Sequence, residues 1–542
     1  MPETQIPFEA VDLATWRAKV TADLSGRDPD SLDRRLLDGV SLPALSTAEE
    51  APPPRSAPGR APFARGRDLG VWRIGQVIDA DRSQAEAAAR EGAEQLWVRG
   101  EVTAALVEGI DVAWIGEGRA AAAPAVPVFD PLAAPDDDGA WDAALSLAEG
   151  ASRSLLVDCR GAHEAGASAV LELAWACAAG LEQLRQLSER GAALAALPDR
   201  MRFAFALDAD FVVGIAKLRA ARLLWSKVVR ALGVEGEGAW IDAFGSHRGL
   251  SVLEPHTNLL RGTTMAFAGV IGGAQSVHVA PFDAPTGGAS AQAAHLARTT
   301  QHLLRHECHL GHVVDPAGGS YAYERLTDGL AREAWSIFQE LEHLGGAERA
   351  LKDGSWAERV AESAEARREA VATRRRGLVG VNRYAGPTPP SERAEPAPSP
   401  LAPVVEAGPF EALRARAQRA PSRRAVVIGV GEARAIKPRM DFAREALEVG
   451  GFDVEVLDPA ASADAALEAH ASAAPIVCVC ASDEETEPTL KALAPKLREA
   501  GARAVVAAGA PREGLDADAF LHRKMDAAET LDRLVRRLEE DA

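Results

Sequence analysis

Residues 302–312, HLLRHECHLGH, place four imidazoles, a carboxylate and a thiol within eleven positions. His302 and His306 are spaced i, i+4, so one helix face could present both, as zinc ligands are presented. The spacing is not HExxH, because only Cys308 separates Glu307 from His309. The commoner use of such a run is a solvated helix end, so no metal site is assigned to His302, His306, His309 and His312. A second polar group, SHRG at 246–249, offers His247 and Arg248 as candidates for a site of their own. Gly429-Val430-Gly431 follows a strand-like run, but Arg434 stands where a dinucleotide fingerprint needs its third glycine, so a tight strand-helix turn is the better reading.

The elements that must carry these residues alternate. Short apolar runs at 153–159, 201–207, 238–244 and 274–280 have strand length. Each precedes a stretch of helical period, at 167–190, 211–232, 258–270 and 291–308. From residue 423 the same alternation recurs, with strand-like runs at 425–430, 452–458, 474–482 and 502–510 and helical runs at 438–449, 489–500 and 527–540. Strand-helix alternation of this kind predicts an α/β fold with parallel sheets. Proline-rich stretches at 49–61 and 385–422 separate a helical arm (1–48), a large domain (62–384) and a smaller domain (423–542).

Composition narrows the function. The 542 residues carry a net charge of −19 and no long basic run, which argues against a phosphate backbone or an anionic membrane as partner. Residues 367–377, RREAVATRRRG, are basic but sit among acidic neighbours, as a solvated face or subunit contact does. Five cysteines without CxxC spacing, and a start with no secretory pattern, predict reduced thiols in the cytoplasm.

Residues 217–229, 254–283 and 312–327 together resemble the barrel core of the cobalamin-dependent acyl-CoA mutases, the methylmalonyl-CoA mutase family most closely. The resemblance spans 62–384 and, more loosely, the C-terminal domain. It implies a (β/α)8 TIM-type barrel followed by a flavodoxin-like, cobalamin-binding-type domain. The family's chemistry-bearing positions are substituted. Its cobalamin-facing tyrosine falls on Val77, which has no hydroxyl. Its carbonyl-binding histidine falls on Asp242, whose charge would repel a developing oxyanion. His247 and Arg248, a few residues on, remain the polar candidates there. The DxHxxG loop, whose histidine ligates cobalt, falls on Arg434, Ile436 and Arg439, none able to coordinate the metal. The family's later SxL and GG elements fall near 480–482 and 508–511 and are eroded. The Gly- and Met-rich stretch that encloses CoA in active relatives reads as Ala-rich sequence at 100–131.

The resemblance therefore implies a small, non-catalytic subunit that binds no cofactor itself. Adenosylcobalamin and the isomerisation of methylmalonyl-CoA to succinyl-CoA belong to a large partner subunit in a heterodimer, around which the arm at 8–26 would wrap. Two alternatives stay open. One is an active acyl-CoA mutase with atypical cobalamin binding. The other is a free-standing sensor or scaffold built on a catalytically dead mutase.

Overall fold

The structure is a computed structural model that describes residues 11–37, 39–52, 56–67, 70–99, 111–115, 125–150, 153–396, 399–469 and 474–539. Residues 8–10 of the arm, much of the Ala-rich stretch at 100–131 and His470 lie outside the described residues.

Eight parallel strands form the large domain: β1 (Arg73–Asp79), β2 (Gln95–Arg99), β3 (Asp111–Ile115), β4 (Ala125–Pro127), β5 (Leu155–Asp158), β6 (Met201–Leu207), β7 (Trp240–Gly245) and β8 (Ser276–His278). β1 to β4 and β5 to β8 each pair in sequence order, and β8 returns to β1 through Ser276 opposite Arg73. The ring closes between β4 and β5. There Phe129 bridges Leu155, with Phe129 N–H donating to Ser154 O (3.0 Å) and Leu156 N–H to Phe129 O (2.9 Å). This is the expected (β/α)8 barrel. β6 is buried along its whole length, as a parallel strand covered on both faces must be.

Helices surround the ring. In chain order they are α1 (Leu13–Asp23) in the arm, α2 (Arg82–Arg90), α3 (Asp138–Gly150), α4 (Arg160–Glu164), α5 (Ala169–Glu189), α6 (Phe211–Ala231), α7 (Thr257–Ile271), α8 (Ala291–His306), α9 (Tyr321–His343), α10 (Gly346–Lys352) and α11 (Ser355–Ala372). A short antiparallel hairpin, Arg34–Arg35 with Ser41–Leu42, joins the arm to the barrel. α7 ends on Gly272, and Gly273 at φ +77° turns the chain into β8.

The C-terminal domain holds β9 (Arg424–Gly429), β10 (Asp453–Val456), β11 (Ile476–Cys480), β12 (Ala504–Ala508) and β13 (Ala519–Leu521) in the order β10-β9-β11-β12-β13, all parallel. This is the flavodoxin-like order, with its switch point between β9 and β11. Helices α12 (Gly408–Arg419), α13 (Ala433–Val449) and α16 (Ala527–Glu539) cover one face. The other face is covered by α14 (Ala463–Ala469) and α15 (Thr486–Glu499). Two features depart from the sequence reading. The segment 385–422 is irregular only through its proline-rich part and then forms α12, whose Phe410 and Leu413 are core residues. β13 is a strand too short for its pattern to register.

The two cores meet. Leu253, Val371, Leu378 and Val381 from the barrel side pack into the same cluster as Phe410 and Leu447. Among the described residues no helix is long and apolar enough to cross a membrane.

Candidate functional site

Inward-facing residues of the barrel strands alternate with outward ones, so each strand contributes every second side chain to the axis. Trp97 of β2, Phe244 of β7 and His278 of β8 meet there. Trp97 stands edge-on to Phe244 with centroids 4.8 Å apart, and Phe244 stacks on His278 at 4.4 Å. Val77 packs against this group with Ala113, Val128, Leu156 and Ala204. Gly75 admits the ring of His278: a Cβ there would lie 2.3 Å from the imidazole. At the carboxyl end the Arg160 guanidinium lies over Phe244 at 4.3 Å and Trp97 at 5.0 Å, held by Asp158 at 2.6 Å.

Asp242 of β7 is fully buried and paired with Arg202 of β6 at 2.7 Å. Its other oxygen accepts from Ser276 Oγ (2.6 Å) and Trp240 Nε1 (3.3 Å). Ser276 Oγ is also 3.0 Å from His278 Nε2. Since the serine proton goes to Asp242, His278 donates through Nε2 and its Nδ1 carries the free lone pair. Burial, then Arg160 and Arg202, push the His278 pKa well below the usual imidazole range. Ser, His and Asp are thus adjacent, but the carboxylate binds the serine rather than the histidine and all three are enclosed. The set satisfies polar groups inside a packed barrel and does not present a nucleophile to a substrate. Sequence reasoning missed Arg202, Ser276 and His278. The i, i+2 spacing of the last two within one strand was the available signal.

The mouth of the barrel carries a second network. Arg248, 3% exposed, donates to His163 O (2.6 Å), Ala167 O (3.0 Å) and Asp208 Oδ2 (3.0 Å). Asp208 also meets Arg376 at 3.1 Å. Glu406, from the segment leading to α12, meets Arg376 at 2.8 Å and Arg367 at 3.0 Å. Burial raises the Asp208 pKa, but Arg376, Arg248 and Arg367 outweigh it and hold the carboxyl well below the usual range. Nearby, Glu172 accepts from Lys217 (2.8 Å) and pairs with His163 Nδ1 (2.7 Å). Of the two candidates, Arg248 is central to this network. His247 is exposed and engages Glu164 only through its backbone N–H (3.0 Å).

In the C-terminal domain the three positions expected for the cobalt loop separate. Arg434 is exposed, whereas Ile436 is 2% exposed and packs with Met440 over the end of β9. A Cβ on Gly429 would sit 2.5 Å from Met440 Sδ and 2.8 Å from Ile436 Cδ1. Arg439 lies across the carboxyl ends of β11 and β12, donating to Ala481 O at 2.6 Å and pairing with Asp483 at 2.8 Å. That crevice is where ligands of this fold bind. α13 starts at Ala433, five residues before the expected start at 438, so the loop is taken up into its first turns. A buried alkyl group and a guanidinium offer no lone pair to cobalt, so these residues do not fit a cobalamin lower ligand.

The four clustered histidines are dispersed by the end of α8. His302 places Nε2 2.9 Å from Glu91 O, His302 and His306 stack at 5.9 Å, and His309 stacks on His312 at 5.0 Å beyond the helix. Among the described residues no three His, Cys, Asp or Glu side chains are grouped to hold a metal ion.

The family model for methylmalonyl-CoA mutase matches residues 150–427, half of the chain. The methylmalonyl-CoA mutase small subunit of Streptomyces virginiae is 33% identical over 94% of this chain and 94% of its own length. The probable methylmalonyl-CoA mutase small subunit of Mycobacterium tuberculosis (strain ATCC 25618 / H37Rv) is 32% identical over 96% of this chain and 94% of its own. The small subunit of Propionibacterium freudenreichii subsp. shermanii is 29% identical, covering 95% and 93%.

Proposed function

The chain belongs to the methylmalonyl-CoA mutase family, and from that premise we propose that it is the small, non-catalytic subunit of a heterodimeric mutase. A large subunit binds adenosylcobalamin and interconverts methylmalonyl-CoA and succinyl-CoA. This chain supplies an interface and stability, and binds no cobalamin of its own. The observation that carries the reading is the packed barrel axis. Around Val77 and Asp242, which the sequence resemblance sets at the family's tyrosine and histidine positions, Trp97, Phe244, His278, Arg160 and Arg202 fill the space between strands. Ile436, which the resemblance sets at the cobalt-ligand position, is likewise a core residue.

The arm supports the subunit role. α1 is capped by Asp12, whose side chain accepts from Thr15 N–H at 2.7 Å, yet no residue of the helix is buried against this chain. An eleven-residue helix is marginal in water by itself and is stabilised by packing its apolar face. Leu13, Trp16 and Val20 are only half-buried on this chain, which leaves part of their surface for a second one. The test is co-expression with a DxHxxG-bearing large subunit. Mutase turnover is expected in the pair and absent from this chain alone, and removal of residues 1–26 should weaken assembly.

A further inference from the structure

One cleft has a charge opposite to that of the molecule. Its volume is about 920 Å³, and it opens between the hairpin, the N-termini of α6 and α7, and the end of α11 with the residues after it. Eight Lys and Arg residues line it against three carboxylates, in a chain of net charge −19. Arg34 is matched by Asp210, Lys217 by Glu172 and Arg375 by Glu369. Arg248, Arg367 and Arg376 share Asp208 and Glu406. Among the described residues that leaves three cations in excess: one of this trio, Arg35 and Arg261. Arg261, 8% exposed, bonds only to the neutral oxygens Asn258 Oδ1 (2.8 Å) and Val379 O (2.6 Å).

Donors in the wall also lack acceptors. Nε of Arg367 is buried with no hydrogen-bond partner, and Nε of Arg248 has only the Glu406 carboxylate, 3.6 Å away and beyond hydrogen-bond reach. Burial, then the neighbouring Arg248 and Arg376, push Arg367 down to about 10 although Glu406 and Asp208 pull it up. His163, 1% exposed, shows the reverse need. Its Nδ1 faces the Glu172 carboxylate and carries the proton, so its partnerless Nε2 is a lone pair awaiting a donor. α6 and α7 both start at the cleft without a side-chain cap, which adds the positive ends of two helix dipoles. Phe211, Leu260 and Val379 leave apolar surface exposed at the rim.

We propose that this cleft is a binding site for a phosphomonoester with an apolar body. The phosphoryl oxygens supply the acceptors that the arginines lack, and the monoprotonated form, present near neutral pH, supplies an O–H for His163. A carboxylate would meet the first need and not the second. The body would lie on Phe211 and Leu260. The site does not rest on the small-subunit reading: its cations and apolar rim lie in this chain whether or not a partner carries the catalysis.

Titration calorimetry of the full chain with phenyl phosphate, inorganic phosphate and benzoate tests this. Saturable one-to-one binding of phenyl phosphate is expected, tighter than that of either other probe. Arg261→Gln should weaken it at least about tenfold, the loss of one charge-assisted hydrogen bond. Leu260→Glu, at an exposed position that folding does not need, should weaken it as much by adding a carboxylate at the rim. Arg536→Gln, on α16, should leave it unchanged. No heat with phenyl phosphate at millimolar concentration overturns the proposal. So does benzoate binding as tightly as phenyl phosphate, or affinity unaltered by Leu260→Glu.

Discussion

The pair Arg202–Asp242 shows what a single residue does once the barrel is a packing core. Both side chains are within a few per cent of complete burial, so their charges are tolerable only together. Arg202→Met leaves an uncompensated carboxylate and should cost about 3–5 kcal/mol in urea unfolding, while the double change Arg202→Met with Asp242→Leu should recover most of it. Asp208 gives the pH dependence. Its folded pKa lies below the ordinary 3.8, so its contribution is complete above the unfolded value and is lost as pH falls past it. The stability gap between the parent and Asp208→Asn should be full at pH 7 and close progressively below about pH 4–5. Asp242 and Arg248 were legible in the sequence as positions. Their partners were not, because Arg202 lies forty residues from Asp242 and Asp208 forty from Arg248.

At the scale of elements, α13 and β1 carry the same message. Ile436 is core on a helix that has absorbed the expected loop, so Ile436→Ala should cost about 2–4 kcal/mol, as cavity formation does. Ile436→His should bring no histidine-type cobalamin spectrum on titration with adenosylcobalamin, because the side chain faces Gly429 and Met440 rather than a crevice. The crevice itself is crossed by Arg439. Gly75→Ala should destabilise by about 1–3 kcal/mol, since the new methyl would meet the His278 ring. The strands at 201–207 and the long helices after them were readable from period and length alone. The start of α13 was not, because Pro438 looked like a first-turn residue and is tolerated deeper in the helix. β13 has three residues, fewer than an alternation needs to declare itself.

Over the whole molecule, the barrel and the C-terminal domain share a core although the sequence separates them with prolines. Ending the chain at Tyr384 would uncover Leu253, Val371, Leu378 and Val381 and remove Glu406 from Arg367 and Arg376. The truncated barrel should aggregate or unfold at markedly lower denaturant than the full chain. The arm's later part packs on the barrel, with Val40 in its core and Arg34 paired to Asp210, and the proposed role of its first helix and of a catalytic partner is tested on the assembled complex. The most direct measurement is mutase turnover of methylmalonyl-CoA with adenosylcobalamin, for this chain alone, the large subunit alone and the two mixed. The account predicts no turnover from this chain alone and full activity in the stoichiometric complex. Full turnover from this chain purified by itself would contradict it.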